Sequence, residues 1–168
     1  MGHASTSRTQ GTGRGPDTFA RFYEAEVVRQ VRAATLMLGS QQAAQDIVHE
    51  VFTEIFQRWD GEISEPGPYL QRAVVNRCRD AMRRTAVARR HRSMLRAEDV
   101  PAIDVPLYDA LGTLPPKHRT AVVLRYYLGL TEAEIADHLD CPTGSVGPWI
   151  RRGLDRLAVE LGLPPEER

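Results

Sequence analysis

Arginines concentrated in one segment of the chain could bind phosphate groups. Residues 72–96 contain nine arginines and a single acid, Asp80, which gives this segment a net charge of +8. The segments before and after it are acidic, with net charges of −5 over residues 17–65 and −5 over residues 97–140. Because a patch of one sign steers association even when the whole chain is neutral, this pattern favours a nucleic-acid-binding surface. A solvated arginine-rich helix is the alternative that charge alone leaves open.

No residue pattern predicts catalysis or metal binding. The glycine-rich stretch GTGRG at residues 11–15 lacks the lysine and hydroxyl of a phosphate-binding loop. The five histidines form no HExxH motif and have no carboxylate at ligand spacing on a helix face. The two cysteines, Cys78 and Cys141, belong to no CxxC motif, which favours a reducing, cytoplasmic setting. We therefore expect a protein that is not an enzyme and that holds no metal or cofactor.

Composition favours a globular protein without membrane insertion. Hydrophobic residues make up 42% of the chain, which is ordinary for a soluble domain. No apolar run approaches the roughly 20 residues that cross a bilayer. Residues 1–16 are rich in Gly, Ser, Thr and Arg and lack the apolar segment of a signal peptide, so we predict a disordered tail there.

Helical periodicity predicts a first all-α domain over residues 17–92. Its first helix has an apolar face, and we expect Gly39 to end that helix and Ser40 to cap the next. That apolar face comprises Phe19, Phe22, Tyr23, Val27, Val31, Ala34 and Leu38. The second helix carries an apolar stripe of Ala44, Ile47, Val48, Val51, Phe52, Ile55, Phe56 and Trp59. Its opposite face is polar and includes Asp46, His49 and Glu50.

A loop and an arginine-rich helix complete the first predicted domain. Residues 60–68 contain two glycines and two prolines, which predict the loop. The third helix is expected from near Pro68 to about Arg90. Its inward positions are Leu70, Val74, Cys78 and Met82.

A second helical domain is predicted over residues 108–162, after a linker over residues 93–107. Pro115 and Pro116 can open a helix, because a proline costs little in the first turn. Thr131 and Glu134 form the sequence pattern of a capping box. A short turn then leads to a helix whose apolar face carries Val146, Ile150, Leu154 and Leu157. These signals together predict a helix-turn-helix.

Gly147 and Pro148 conflict with the expected start of that last helix. If Thr143 is the N-cap, Pro148 is the fifth helical residue and costs about 3 kcal/mol. If the cap shifts to Ser145, Pro148 becomes the third helical residue, where no intrahelical donor is needed. We therefore predict a loose turn over residues 144–147 and a regular helix only from about Pro148.

Three segments in this order resemble the extracytoplasmic-function (group IV) sigma factors of bacterial RNA polymerase, in the sigma-70 family. They are AAQDIVHEVFTEIFQRW (43–59), PYLQRAVVNRCRDAMRR (68–84) and LGTLPPKHRTAVVLRYYLGLTEAEIADHLDCPTGSVGPWIRRGLDRL (111–157). The resemblance implies a sigma region 2-like domain followed by a region 4-like helix-turn-helix domain. It also implies a promoter-specificity subunit that directs polymerase to −10 and −35 elements.

The resemblance places functional residues on three helices. Polymerase binding is implied for Asp46, His49 and Glu50, with His49 in place of the family's usual glutamine. Binding of the −10 element is implied for Arg72, Asn76, Arg77, Arg79, Asp80, Arg83 and Arg84, with pockets for unstacked bases between this helix and the preceding loop. Tyr69 stands where many relatives carry tryptophan, and core packing is its expected role.

Binding of the −35 element is implied for residues of the last helix and the turn before it: Thr143, Ser145, Trp149, Arg151 and Arg152. The family usually has a basic residue at position 147 and a small polar one at 148, where this chain has Gly147 and Pro148. We therefore expect weak or altered −35 recognition, with more weight on the −10 element.

The implied partners are the polymerase core, through the β′ clamp helices and the β flap, promoter DNA and an anti-sigma factor. One alternative is a helix-turn-helix regulator with an N-terminal sensing domain, although such a domain has no need of a helix with a charge of +8. Another is a sigma-like protein that has lost promoter recognition and acts through protein contacts, an option that Gly147 and Pro148 leave open.

Overall fold

The computed structural model describes residues 15–88 and 105–164. These residues form seven α-helices and no strand, which confirms the predicted all-α fold. The helices are α1 (Pro16–Leu38), α2 (Gln41–Gln57), α3 (Pro66–Ala88), α4 (Val105–Thr113), α5 (Pro116–Val122), α6 (Glu132–Leu139) and α7 (Val146–Glu160). Most of the predicted tail and most of the predicted linker lie outside the described residues.

Helices α1 and α2 meet at the predicted junction. Gly39 has a left-handed φ of 71°, a conformation that glycine adopts without the steric cost of a Cβ. Its N–H donates to the carbonyl of Thr35 at 2.8 Å and so closes α1. The Oγ of Ser40 accepts the N–H of Ala43 at 3.3 Å and caps α2. Both predicted signals are confirmed.

Aromatic side chains of α1 pack against the apolar stripe of α2. Phe19 meets Phe52 and Trp59 edge-on, with ring centroids 6.3 and 5.2 Å apart. The predicted stripe is largely confirmed, with Ala44, Val48, Val51, Phe52, Ile55 and Trp59 all buried. Its prediction at Phe56 is wrong, because that ring lies at the rim beside Phe19 and is 53% exposed.

Helix α3 buries an apolar side, and its arginines lie on the remaining surface of the helix. Leu70, Val74 and Cys78 are at most 1% exposed, as the spacing predicted. Burial raises the pKa of the Cys78 thiol to about 12, so this cysteine is a small core residue. Arg83 and Arg84, further along the helix, are exposed to solvent.

The second half of the fold contains two elements that the sequence did not predict. Helix α4 begins at Val105 and occupies the last residues of the predicted linker. After α5, Val123–Tyr127 form a π-helical turn, in which the N–H of Leu128 donates to the carbonyl of Val123 at 3.2 Å. The widened turn precedes Gly129, which has a φ of 75°.

The helix-turn-helix consists of α6 and α7. Thr131 and Glu134 form the predicted capping box, with the Thr131 N–H donating to Glu134 Oε2 at 2.8 Å. Ile135, Ala136 and Leu139 are buried. Asp140 ends α6 in the left-handed region with a φ of 50°.

The start of α7 differs from its prediction. Residues Thr143–Ser145 form a 3₁₀ turn, and regular α-helix begins directly at Val146. Pro148 is therefore the third helical residue, as the shifted cap at Ser145 predicted. The expected loose turn over residues 144–147 is wrong, because the first helical residues need no intrahelical donor and the proline fits there without removing a hydrogen bond.

Helix α7 packs against α5 by close approach at a glycine. Gly153 is buried, and a Cβ placed there would lie 2.7 Å from Cγ2 of Val122. Leu154, predicted to face inward, is 37% exposed. The buried face of α7 is instead formed by Val146, Ile150, Gly153 and Leu157.

The two halves of the fold share one contiguous apolar core. Two arginines also connect them through backbone carbonyls. Arg29 of α1 donates to the carbonyl of Leu128 at 3.0 Å. Arg119 of α5 donates to the carbonyl of Met37, in the last turn of α1, at 3.2 Å.

Among residues 15–88 and 105–164, no helix is both long enough and apolar enough to cross a membrane.

Candidate functional site

The polar face of α2 is exposed, as predicted. Asp46, His49 and Glu50 are all exposed to solvent. Gln42 donates to Asp46 Oδ1 at 3.0 Å, which fixes that carboxylate along the helix. His49 Nε2 lies 3.2 Å from the hydroxyl of Tyr23, so this imidazole is held against α1. The face presents two carboxylates and an imidazole to solvent.

The outward side of α3 carries a group of polar side chains that remain open to solvent. They are Asn76, Asp80, Arg83 and Arg84. Arg83 Nη1 lies 3.4 Å from Asp80 Oδ1, a surface ion pair of the i,i+3 type. Arginines bind phosphate and an amide can bond to a base edge, so this side suits single-stranded DNA.

Three other arginines of α3 bind protein oxygens. Arg72 forms an ion pair with Asp137 of α6 at 2.8 Å. Arg79 donates to the carbonyls of His138 and Leu139 at 3.1 and 2.8 Å. The third is Arg77, which binds a carboxylate of α2. The structure therefore divides the predicted −10 set into arginines that face solvent and arginines that are held by other elements.

Arg77 belongs to a network between α2 and α3. It donates to Glu54 Oε2 at 2.6 Å, while the Tyr69 hydroxyl donates to Glu54 Oε1 at 2.6 Å. The hydrogen bond from Tyr69 and the charge of Arg77 hold the pKa of the Glu54 carboxyl below its usual value. Arg58 also donates to the Tyr69 hydroxyl, at 3.1 Å. Tyr69 packs against the core, as predicted, and its hydroxyl also joins Glu54 and Arg58 at the surface.

A cleft of about 360 Å³ lies beside the predicted loop. One wall comes from the loop and the start of α3, with Glu62, Tyr69 and Arg72. Asp137 and His138 of α6 form the opposite wall. Gln71 reaches the same place, with its Nε2 3.5 Å from His138 Nε2. The cleft lies next to α3 and is open to solvent, with α6 lining part of it.

The predicted −35 residues lie together at the start of α7 and in the turn before it. Thr143, Arg151 and Arg152 are exposed, while Ser145 and Trp149 are half-buried. Lys117 of α5 places its Nζ 5.4 Å from the centroid of the Trp149 ring, in a cation–π arrangement. The Trp149 ring of α7 therefore lies against Lys117 of α5, with part of the ring open to solvent.

Metal-binding chemistry is not concentrated at these surfaces. Within the part of the chain that the structure describes, no group of three or more His, Cys, Asp or Glu side chains could hold a metal ion.

Comparison with known proteins assigns the family. The family model for Sigma-70 region 2 matches residues 22–97, and that for Sigma-70 region 4 matches residues 104–157. The RNA polymerase sigma-E factor of Streptomyces antibioticus is 30% identical over 136 residues, which cover 70% of each chain. The chain belongs to the extracytoplasmic-function sigma factors. It is a promoter-recognition subunit of bacterial RNA polymerase.

Further relatives of this sigma factor agree with the assignment. The sigma-E factor of Streptomyces avermitilis is 28% identical over 149 residues, covering 78% of each chain. SigE of Mycolicibacterium smegmatis is 31% identical over 153 residues, covering 79% of this chain and 59% of that one. The sigma factor RpoE of Bartonella quintana, solved with the anti-sigma factor NepR, has the same fold, with a TM-score of 0.71 at 16% identity over 88% of this chain and 98% of that one.

Sequence reasoning missed several residues that shape the sigma factor's surfaces. Glu54 looked like one more polar residue of α2, yet it anchors Tyr69 and Arg77. Asp137 and His138 lie 65 and 67 residues from their partners Arg72 and Gln71, so no local pattern could reveal these pairings. Helix α3 has many more arginines than acids, and this excess was the one sequence signal that some of its arginines bind acceptors on distant elements.

Proposed function

We propose that three separate surfaces divide the work of promoter recognition in this sigma factor. The polar face of α2 binds the β′ clamp helices, the outward side of α3 binds the −10 element, and α7 binds the −35 element while its domain contacts the β flap. The observation that best supports this proposal is that opposite charges are exposed on different helices. Two exposed carboxylates lie on α2, whereas Arg83 and Arg84 lie exposed on α3.

The exposure of Asp46, His49 and Glu50 supports polymerase binding. Opposite them, α2 buries its apolar stripe in the core, so the polar face is free for a partner without loss of stability. A carboxylate face repels DNA and complements a basic or amide-rich protein surface. This favours a protein partner for α2 and leaves nucleic acid to α3.

The exposed amide of Asn76 supports recognition of a −10 base. Arg83 and Arg84, about two turns further along the same helix, supply positive charge for neighbouring phosphates. The cleft beside Tyr69 and Arg72 supplies room for a base taken out of the stack. Base contact and backbone contact are thus assigned to different side chains.

Exposed Arg151 and Arg152 support duplex binding by α7, with Trp149 beside them. Gly147 and Pro148 offer no side-chain donor at the first turn, so −35 recognition is weak or altered. The proposal includes an anti-sigma factor as a regulator, action in the cytoplasm where polymerase works, and no catalytic step by this chain.

Reversal of charge on α2 tests the polymerase assignment. The double variant Asp46→Lys with Glu50→Lys should bind core polymerase more weakly, by about 1–3 kcal/mol for each charge-assisted hydrogen bond that the substitutions remove. Because both side chains are exposed, helicity should not change. The measurement is binding to core enzyme, followed by transcription with genome-wide mapping of start sites. Unchanged binding would exclude this face as the polymerase-binding surface.

Two control measurements distinguish the alternatives. The variant Glu24→Lys with Asp17→Lys makes the same charge change on exposed positions of α1 and should leave core binding intact. A helix-turn-helix regulator would shift duplex DNA without polymerase, whereas this sigma factor should need the core enzyme. A sigma-like protein acting only through protein contacts would bind core enzyme and start no transcript.

A further inference from the structure

The carboxylate of Glu132 lies against the first turn of α7. Glu132 is the first residue of α6. A Cβ built on Gly147 would lie 3.2 and 3.4 Å from the two Glu132 carboxylate oxygens and 3.6 Å from Glu132 Cδ. The carboxylate therefore fills the space that a side chain at position 147 would take. Because Gly147 has no side chain of its own, the functional group that this part of α7 presents comes from α6.

This carboxylate has no partner within the described part of the chain. Glu132 is exposed and forms no hydrogen bond or ion pair with a described residue. No backbone N–H of α7, whose residues are all described, donates to it, so Glu132 is not a cap for that helix. Pro148 contributes to this, because the third residue of a helix normally offers a free N–H and proline has none. The acceptor capacity of Glu132 is thus left for another molecule.

The start of α7 is where a helix-turn-helix meets the edges of bases. When such a motif binds duplex DNA, the first residues of its second helix face the base edges in the major groove. Exposed Arg151 and Arg152, further along α7, have the charge that binds phosphates. Phosphates repel a carboxylate, whereas the edge of a base can offer it a donor. The position and the charge of Glu132 therefore suit a base and not the DNA backbone.

An ionised carboxylate only accepts hydrogen bonds, and this property discriminates among the four bases. In the major groove, guanine presents two acceptors, N7 and O6, and thymine presents the acceptor O4 beside a methyl group. Adenine presents its N6 donor next to the acceptor N7, which repels the second carboxylate oxygen. Cytosine alone presents a donor, its N4 amino group, without an acceptor of its own beside it. Cytosine is thus the base that best complements Glu132.

We propose that Glu132 is a specificity-determining residue of the −35 surface and that it selects cytosine at the base pair facing the first turn of α7. Gly147 leaves the space, Pro148 removes the competing N–H, and Glu132 provides the acceptor. The inference rests on the proposed function, because it takes α7 as the −35 surface. It also gives that function a direction, since a first turn without donors still recognises a base through an acceptor.

A promoter library tests this base preference. A native promoter, identified by mapping of start sites, is synthesised with all four bases at every position of its −35 region and a barcode in its transcribed part. Holoenzyme assembled from the full-length sigma factor and core polymerase transcribes the library, and sequencing of the RNA reports how often each base is used. At one position the wild type should use cytosine at least about 5-fold more than guanine.

Two substitutions of Glu132 should change the preference at that position in different ways. Glu132→Ala should remove it, because no acceptor remains. Glu132→Gln should move it to adenine, because an amide can bond to both N6 and N7 of that base. The control Asp109→Asn removes one negative charge from an exposed position of α4 and should keep the preference for cytosine. Circular dichroism checks that all variants keep their helices.

A modified base tests the contact itself. In N4-methylcytosine a methyl group replaces the N4 hydrogen that points into the major groove, while the pairing with guanine is kept. Placing this base at the preferred position should lower transcription by the wild type by about 5-fold. Glu132→Ala should transcribe both templates equally, because it makes no contact with N4.

Two results would overturn the assignment of Glu132. One is a uniform rise in transcription with all four bases in both Glu132 variants, which is the behaviour of a carboxylate that only repels DNA. The other is a −35 preference that both variants leave unchanged. Failure of the wild-type holoenzyme to start transcripts, or to distinguish any base of the −35 region, would instead overturn the proposed function.

Discussion

Helices α3 and α7 both present arginines to solvent, but they hold them differently. On α3, Arg72, Arg77 and Arg79 each bind an oxygen of another element. On α7, Arg151 and Arg152 are exposed and have no hydrogen bond or ion pair to any described residue. Three arginines of α3 are therefore tied to the rest of the fold, whereas Arg151 and Arg152 of α7 are not.

The two helices also differ in how they pack against the rest of the fold. Helix α3 buries full side chains such as Leu70 and Val74. Helix α7 approaches α5 so closely that Gly153 has no room for a Cβ. Changes around α3 should thus alter stability and DNA binding together. Changes on α7 should separate them, because its backbone is fixed by packing while Arg151 and Arg152, which we propose bind DNA, are exposed.

The largest expected effect comes from filling the space between α5 and α7. Gly153→Leu forces a side chain into the space held by Val122 and the carbonyl of His118. Overpacking of this kind should lower the free energy of unfolding by about 3 kcal/mol. Denaturant titration measures the decrease. Gly112→Leu is the control, because a Cβ at Gly112 meets nothing within 4 Å. Equal stability of the two variants would mean that α7 is not held by close approach.

Removal of the Glu54 charge should lower both the stability of the fold and the function proposed for α3. In Glu54→Gln, Arg77 loses its ionic partner and Tyr69 a strong acceptor, at a cost of about 1–2 kcal/mol at neutral pH, since the group is partly exposed. The exposed neighbour variant Glu50→Gln should change the unfolding free energy by less than about 0.5 kcal/mol. The −10-dependent transcription of Glu54→Gln should fall as well, because Arg77 and Tyr69 border the DNA side.

The effect of Glu54→Gln should depend on pH in one direction. The folded chain holds the Glu54 pKa below its unfolded value, chiefly through the Tyr69 hydrogen bond. The charged carboxylate therefore stabilises the fold above the unfolded pKa, and this stability is lost as pH falls through the folded pKa. The difference in unfolding free energy between wild type and variant should be constant above about pH 5 and should shrink as the pH is lowered further. A difference that widens in acid would contradict the assigned role of Glu54.

Asn76 and Arg83 should separate base contact from backbone contact on α3. Asn76→Ala should reduce transcription most at promoters that carry the base it contacts, so that discrimination at one −10 position falls by about 1–2 kcal/mol while other positions change little. Arg83→Ala should weaken binding at all promoters and lower the slope of log affinity against log salt by about one. Transcription from a panel of single-base promoter variants measures both. Intact promoter preference in Asn76→Ala would place the base pocket elsewhere.

Local chemistry explains which features were predictable from the sequence. Gly39, Ser40 and the Thr131–Glu134 box act on their own neighbours, so their roles follow from spacing. The exposed positions on α2 and α3 follow from periodicity in the same way.

Features that depend on distant partners were not predictable. Whether Arg79 faces DNA or a carbonyl depends on Leu139, 60 residues away. Phe56 and Leu154 continue apolar patterns but lie where no neighbouring described element covers them fully. The close approach at Gly153 depends on the side chain of Val122, and no local pattern indicates it.

The smallest expected change in stability comes from the first turn of α7. In Gly147→Lys with Pro148→Ser, position 148 is the third helical residue, where proline already fits. The free energy of unfolding should therefore change by less than about 1 kcal/mol. Use of a −35 element of the family type should still increase, because two side-chain donors now face the duplex. This separation of recognition from stability is what the contrast between α7 and α3 predicts.

Glu132 limits how much the double replacement strengthens −35 recognition. A Cβ at position 147 would lie 3.2 Å from Glu132 Oε2, so the Glu132 side chain must shift slightly, and we expect its nearby carboxylate to attract the new lysine away from DNA. Adding Glu132→Gln should release the lysine, and the triple variant should use the −35 element more strongly than the double one. Transcription from promoters with and without a −35 element of the family type measures the difference. If the double replacement instead abolishes transcription at the native promoters, Gly147 and Pro148 are themselves part of −35 recognition, and α7 is as strictly coupled to its DNA as α3.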